Sequence, residues 1–302
     1  MRVLIVGCGY IGLPLGAELV RLGHDVSGLR RSTSAKKDLL AAGIKPLVGD
    51  ITRPEDLAGL PASFEWVVNC VASGGGGADD YRRVYLQGTR NLIGWLGSGT
   101  PLKFVYTSST SVYGQNDASP LSEASPAEPA SETARVLVET EKLLLEAAGQ
   151  RRWPAVILRV AGIYGPGRGH GFRQYLKNEA RIEGNGRRFL NMIHRDDVVG
   201  CIIAALRSGR GGEVYNAVDD EPITEIDFFE WLAGRLGRGP PAIVPGDADT
   251  ARKRGVTNKK VSNRKLKEEL GYRFKYPTFR EGYAAEILRM ERAGEPGAAG
   301  CD

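Results

Sequence analysis

Three glycines, Gly7, Gly9 and Gly12, stand in the stretch "VGCGYIG" with the spacing G-x-G-x-x-G. Each has a separate task if the loop binds a dinucleotide. The first permits a tight turn, the second lets the backbone approach a pyrophosphate, and the third lets a helix pack on a strand. A helix that starts here turns free N–H groups and a partial positive charge toward the phosphates. Tyr10 and Ile11, inside the loop, are expected to line the same cofactor site. An acid about 20 residues further on would bind the ribose 2′-OH of NAD. The chain instead reads "GLRRS", with Arg30, Arg31 and Ser32 at that place. Guanidinium groups pair bidentately with phosphate, so the expected cofactor is NADP rather than NAD. Asp50 is expected to accept from the adenine amino group or to cap the next turn. Ile51 and the segment Val71, Ala72 and Ser73 complete the expected cofactor wall.

The loop needs a strand before it and a helix after it, and the pattern provides both. "RVLIV" is an apolar run at 2–6, and "YIGLPLGAELVRLG" is periodic and apolar on one face. Further short apolar runs follow: "HDVSGL", "KPLVG", "WVVNCVA", "KFVYTS", "AVILRV" and "EVYNAV". Helical stretches separate most of them, among them 79–97 and 130–147. Near-continuous apolar strands alternating with helices predict a parallel sheet covered on both faces, wound in two directions. The fold class expected is α/β, a doubly wound parallel Rossmann sheet with a smaller, mainly C-terminal substrate-binding domain. Residues 1–166 are expected to form the cofactor domain, with 186–220 returning to it. Residues 167–185 and 221–293 form the substrate part, "FRQYLKNEARIEG" being read as a helix. A flexible tail is expected at 294–302.

Composition narrows the class. The chain has 302 residues and a net charge of +5, and no apolar run reaches the roughly 18–20 residues of a membrane span. Its start has no secretory pattern. The cysteines Cys8, Cys70, Cys201 and Cys301 and the histidines His24, His170 and His194 are scattered. That predicts reduced thiols, no metal site and a cytoplasmic location. Between Arg252 and Arg280 eleven Lys/Arg face two acids, Glu268 and Glu269. No helix-turn-helix, zinc-finger or RNA-binding signature accompanies the charge, so neither nucleic acid nor membrane is an expected partner.

Four later motifs carry a resemblance. "VYTSSTSVYG" (105–114), "YLQGTRNL" (85–92), "LRVAGIYGPG" (158–167) and "MIHRDDVV" (192–199) resemble segments of the extended short-chain dehydrogenase/reductases. The resemblance is to their NAD(P)-dependent epimerase/dehydratase group and covers nearly the whole chain. It implies a catalytic hydroxyl at Ser109 and a homodimer built on the helices at 79–97 and 131–149. It also implies a nucleotide-sugar or related phosphorylated, anionic ligand. Arg187, Arg188, Asn258, Lys259, Lys260 and Arg264 are the candidates for the ligand's anionic end.

The chain departs from that family where the chemistry lies. The family carries Tyr-x-x-x-Lys on the helix after its fifth strand, and the lysine makes the phenol a usable acid or base. Aligning Glu141 with the family's glutamate puts Thr133 at the tyrosine position and Leu137 at the lysine position. An alcohol is too weak an acid to replace a phenol. The candidate catalytic residues are therefore Ser109, Tyr113 as a substitute phenol, and Thr133. Tyr85 stands where the family usually has asparagine. Two functions remain open at this point: a reductase or epimerase/dehydratase-like enzyme, or a cofactor binder without turnover.

Overall fold

A computed structural model describes residues 1–97, 101–151, 153–245 and 257–294. The chain opens with β1 (Arg2–Val6), α1 (Gly12–Arg21), β2 (Asp25–Arg30), α2 (Lys36–Ala41), β3 (Lys45–Val48), α3 (Pro54–Ala58) and β4 (Trp66–Asn69). One helical stretch follows: α4 (Ala78–Tyr81), a π-helical segment (Arg82–Gln87) and α5 (Gly88–Leu96). Then come β5 (Lys103–Ser109), β6 (Asn116–Leu121), α6 (Glu132–Arg151), β7 (Ala155–Val160), β8 (Gly162–Tyr164) and α7 (His170–Leu176). The remainder is β9 (Ile182–Glu183), β10 (Phe189–Leu190), β11 (Met192–His194), α8 (Arg195–Ser208), β12 (Val214–Ala217), β13 (Ile223–Thr224), α9 (Glu225–Leu236), β14 (Ile243–Val244), β15 (Asn258–Val261), α10 (Arg264–Leu270) and α11 (Phe279–Ala293).

Seven strands form the central sheet in the order β12-β7-β5-β4-β1-β2-β3, and every neighbouring pair is parallel. The expected doubly wound sheet is present. Strand order reverses between β1 and β4, and in such sheets the crevice at the carboxyl ends there is the ligand site. Side chains alternate across β1. Val3 and Ile5 join the core on one face, with Leu15, Leu19 and Ile202, while Leu4 and Val6 join the other, with Phe104 and Ile157. Burying each such side chain contributes about 1.5–3 kcal/mol, so truncating Leu4 to Ala would cost about 2–5 kcal/mol.

A third cluster lies under α7, α9 and α11. Tyr164 stacks on Tyr283 at 4.3 Å, and Phe172, Phe228, Phe229 and Phe279 surround them. The helix expected over "FRQYLKNEARIEG" is shorter than the sequence implies. It ends at Leu176, and Asn178 takes a left-handed φ of 58°. Asparagine tolerates that conformation and stops a helix. The following residues enter β9, which pairs with β14. The expected tail falls, past Gly294, outside the described residues, as do Arg252, Lys253 and Arg254 of the basic segment. No helix among the described residues is long and apolar enough to cross a membrane.

Candidate active site

The end of β1 runs into the glycine loop. Gly7 has φ +92°, and a Cβ there would meet the backbone of Cys70 and Val71 at 2.8–2.9 Å. Only glycine lets β1 and the end of β4 approach so closely. A Cβ on Gly12 would meet the Gly7 carbonyl oxygen at 2.5 Å, so this glycine seats α1 on the strand. A Cβ on Gly9 would meet nothing within 4 Å. Gly9 thus faces open space, the side from which a pyrophosphate would come.

That space is a cavity of about 420 Å³ at the carboxyl ends of the sheet strands. Gly7, Gly9, Tyr10, Ile11, Arg30, Arg31, Ser32, Asp50, Ile51, Val71 and Ala72 line it, so most of the expected cofactor residues meet at one wall. Gly12 and Ser73 do not line it: Gly12 packs α1, and Ser73 offers its backbone N–H to the hydroxyl of the lining residue Tyr85 at 3.2 Å. Asp50 spans both of its expected uses, since it lines the cavity while its Oδ1 accepts from Thr52 N–H at 2.9 Å. Arg30 does not stand free: its guanidinium donates to the carbonyl oxygen of Cys8, under the glycine loop.

β5 delivers Thr107, Ser108 and Ser109 to the opposite wall. The Ser109 hydroxyl accepts the Ser111 N–H at 3.1 Å, which fixes its orientation toward the cavity. Ser108 donates to Glu141 at 2.6 Å, and Glu141 pairs with Arg159 at 2.7 Å. The helix α6 therefore contributes a buried carboxylate that braces β5 and β7. Leu137 lies in the apolar core, and Thr133 is buried with its hydroxyl 3.1 Å from that of Ser131; neither lines the cavity.

Tyr113, the expected substitute phenol, needs correction. It is wholly buried, and its hydroxyl donates to Ser122 O and Asn216 Oδ1 while accepting from Arg159 at 2.8 Å. A phenol held by the buried Arg159 and Asn216 and by the Ser122 carbonyl is structural, and burial raises its pKa. The expected anion-binding residues also do not converge on the cavity. Lys259 is buried and donates to the Tyr113 carbonyl. Arg264 pairs with Glu268 at 2.6 Å in a different groove. Arg188 pairs with Glu225 at 3.0 Å, Asn258 accepts from Phe189 N–H at 2.9 Å, and Lys260 sits over the Phe189 ring at 4.6 Å, with exposed Arg187 nearby in the chain. The late motif is structural as well. His194 caps α8 by accepting the Asp196 N–H at 3.1 Å, and Asp197 accepts from Tyr272 and from two backbone N–H groups.

Two further residues that were not among the expected site residues line the cavity. Arg168, in the loop after β8, lines the cavity with its guanidinium 5.0 Å from the Tyr10 ring. Tyr85, on the π-helical segment, lines it from the helical side.

A sequence profile of the NAD dependent epimerase/dehydratase family matches residues 3–217. The chain belongs to that family. It is 29% identical to Protein YeeZ of Escherichia coli K12 over 284 residues, spanning 91% of this chain and 96% of YeeZ. A Methylobacillus flagellatus structure assigned to the NAD-dependent epimerase/dehydratases shares 33% identity at a TM-score of 0.76, covering 96% and 98% of the two chains. The dTDP-glucose 4,6-dehydratase DesIV of Streptomyces venezuelae, solved with NAD and TYD, superposes at a TM-score of 0.82 with 23% identity and 97% coverage of each chain.

Epimerase/dehydratase membership decides between enzyme and mere binder in favour of an NAD(P)-dependent enzyme. It also corrects the cofactor. DesIV holds NAD, and so do further solved structures of this fold at 20–23% identity. The expected NADP preference rested on Arg30 replacing an acid. In the structure that guanidinium donates through Nη1 to the Cys8 carbonyl, so Arg30 also serves the glycine loop.

Proposed function

We propose that the protein is an NAD(H)-dependent reductase that acts on a carbonyl of a nucleotide-sugar-like or related phosphorylated compound. One observation carries this: the cavity keeps the glycine loop and Ser109 but holds neither member of the family's Tyr/Lys pair. The loop fits the dinucleotide, since a Cβ at Gly9 would project into the space its pyrophosphate needs. Gly7, Gly9 and Ile11 would hold that group, and Arg31, Ser32 and Asp50 would meet its adenosine end. The reduced dinucleotide would supply hydride.

Direction follows from what the side chains can do with a proton. Oxidising a sugar hydroxyl needs a base to take its proton as hydride leaves, and such assistance is worth about 10²–10⁴-fold. With Leu137 in place of a lysine, the site has no cation there to make a phenol basic. Reducing a carbonyl asks only for a donor to the developing alkoxide and a group to hold its oxygen, which Ser109 supplies. Arg168 is the side chain placed to meet a substrate phosphate. The free thiols of Cys8, Cys70 and Cys201 support a reducing, cytoplasmic setting.

The test is a substrate screen with NADH set beside mass spectrometry of whatever co-purifies. Oxidation of NADH with a UDP- or dTDP-linked 4-keto hexose, and negligible epimerisation of UDP-glucose, is the expected result. Robust UDP-glucose epimerisation by the wild-type protein would overturn the reading.

A further inference from the structure

The cavity is lined by two phenols, Tyr10 in the glycine loop and Tyr85 on a different helix from α6. We infer that Tyr85 is the proton donor of this pocket, taking up from the π-helical segment the role that α6 has lost; the inference rests on the reductase reading above. Three observations converge on it. Tyr85 lines the cavity together with Ser109. It stands within the π-helical run Arg82–Gln87, and such wide turns inside α-helices occur often at functional sites because they redirect side chains. The segment is also clamped to α6: Arg82 pairs with Glu139 at 2.6 Å, and Tyr85 packs in the same apolar cluster as Val136 and Leu137. The π-helical segment that carries Tyr85 is thus packed against α6, the helix that carries Leu137.

Its hydroxyl oxygen accepts the Ser73 N–H at 3.2 Å. That contact holds the ring in place, and an oxygen that accepts a hydrogen bond becomes a better O–H donor through cooperative polarisation. Tyr81, with its ring 4.9 Å away, supports the other side. Leu137 next to the segment offers no positive charge to favour phenolate, so the group works as a neutral acid.

The step balances as follows. A substrate carbonyl carbon receives hydride, whose two electrons come from the reduced dinucleotide, which leaves oxidised. The carbonyl π pair moves to oxygen, and that oxygen takes the Tyr85 proton. Water then reprotonates the phenolate. Ser109 holds the same oxygen throughout.

The experiment compares wild type with Tyr85→Phe, using NADH and 9,10-phenanthrenequinone as the carbonyl probe. NADH affinity is measured by fluorescence, folding by circular dichroism, and the quinone carbonyl stretch by infrared spectroscopy in the complex with oxidised NAD. The variant should keep its fold and hold NADH within about twofold. It should lose kcat by at least about 100-fold, along with the solvent deuterium isotope effect and the lowered carbonyl frequency seen in wild type. Turnover of Tyr85→Phe within fivefold of wild type would overturn the inference and leave the reductase reading standing. Parallel loss of NADH affinity and kcat would overturn it too, marking Tyr85 as a wall residue. Failure of wild type to reduce the quinone while binding NADH would likewise remove the proton-transfer role. Failure to bind NADH would instead overturn the reductase reading itself.

Discussion

Arg159 donates to the Tyr113 hydroxyl at 2.8 Å, and both side chains lie in the core, with Arg159 also paired to Glu141. The V-Y-G tyrosine is therefore a brace between β5, β7 and β12 rather than a reagent. Tyr113→Phe would leave Arg159 and Asn216 each short of a partner, at a cost of about 1–3 kcal/mol. Glu141→Gln, which strips the charge from the buried pair, should cost about 3–5 kcal/mol. Urea denaturation measures both. The NADH-dependent rate of folded Tyr113→Phe should stay within about twofold of wild type, since a proton-transfer group would be worth far more.

The three glycines predict three different failures. Gly9→Ala should fold with wild-type stability and lose most of its NADH affinity, because its methyl group meets open space within the fold and occupies the cofactor's approach. Gly7→Ala should lower the melting temperature, because φ +92° and contacts of 2.8–2.9 Å leave no room for a side chain. Gly12→Ala should also destabilise, by pushing α1 off the Gly7 carbonyl. A Gly9→Ala variant that binds NADH as wild type does would contradict this division.

Cofactor choice has its own test. NADH should bind at least as tightly as NADPH. Arg30→Ala should weaken both to a similar degree, by the roughly 1.5–3 kcal/mol of a hydrogen bond to a charged group, because the lost contact supports the loop. A variant that loses only NADPH affinity would show that Arg30 recognises the 2′-phosphate.

Lys259 gives a pH signature. Burial lowers its pKa to about 8, against about 10.4 in the unfolded chain. Below about pH 8 the folded state carries a buried ammonium and bears its desolvation cost in full. Between about 8 and 10.4 the unfolded chain binds more protons than the folded one, so the stability of wild type should rise with pH through this window. Lys259→Met removes the titration. The difference in urea midpoint between the two proteins should therefore shift in favour of wild type as pH goes from 7.5 to 10. A constant difference would refute the assignment.

How much of this could be read from residues alone depends on the range of the interactions. The central sheet was legible because its strands are buried on both faces and so appear as apolar runs, and the glycine loop because its three positions serve local geometry. Lys259 is a candidate for the ligand's anionic end on its charge alone. Its inward direction is set by pairing of β15 with β6, a distant partner that alternation cannot identify. Tyr113 and Tyr85 are the same residue type, one in the core and one in the cavity lining. Which ring enters the core and which the cavity depends on how a π-helical turn and a strand end rotate them. Arg168 follows no spacing rule at all, since the loop after β8 places it.

The pairing of β6 with β15 also affects how the protein is made. A ribosome releases β6 long before β15, and until residues 258–261 emerge β6 lacks the parallel partner it has in the finished fold. Exposed strand edges recruit other chains. The nascent protein therefore passes through a stage at which its cofactor half can be largely assembled yet prone to aggregate. Chains truncated before Asn258 should carry that weakness permanently, whatever the state of their glycine loop.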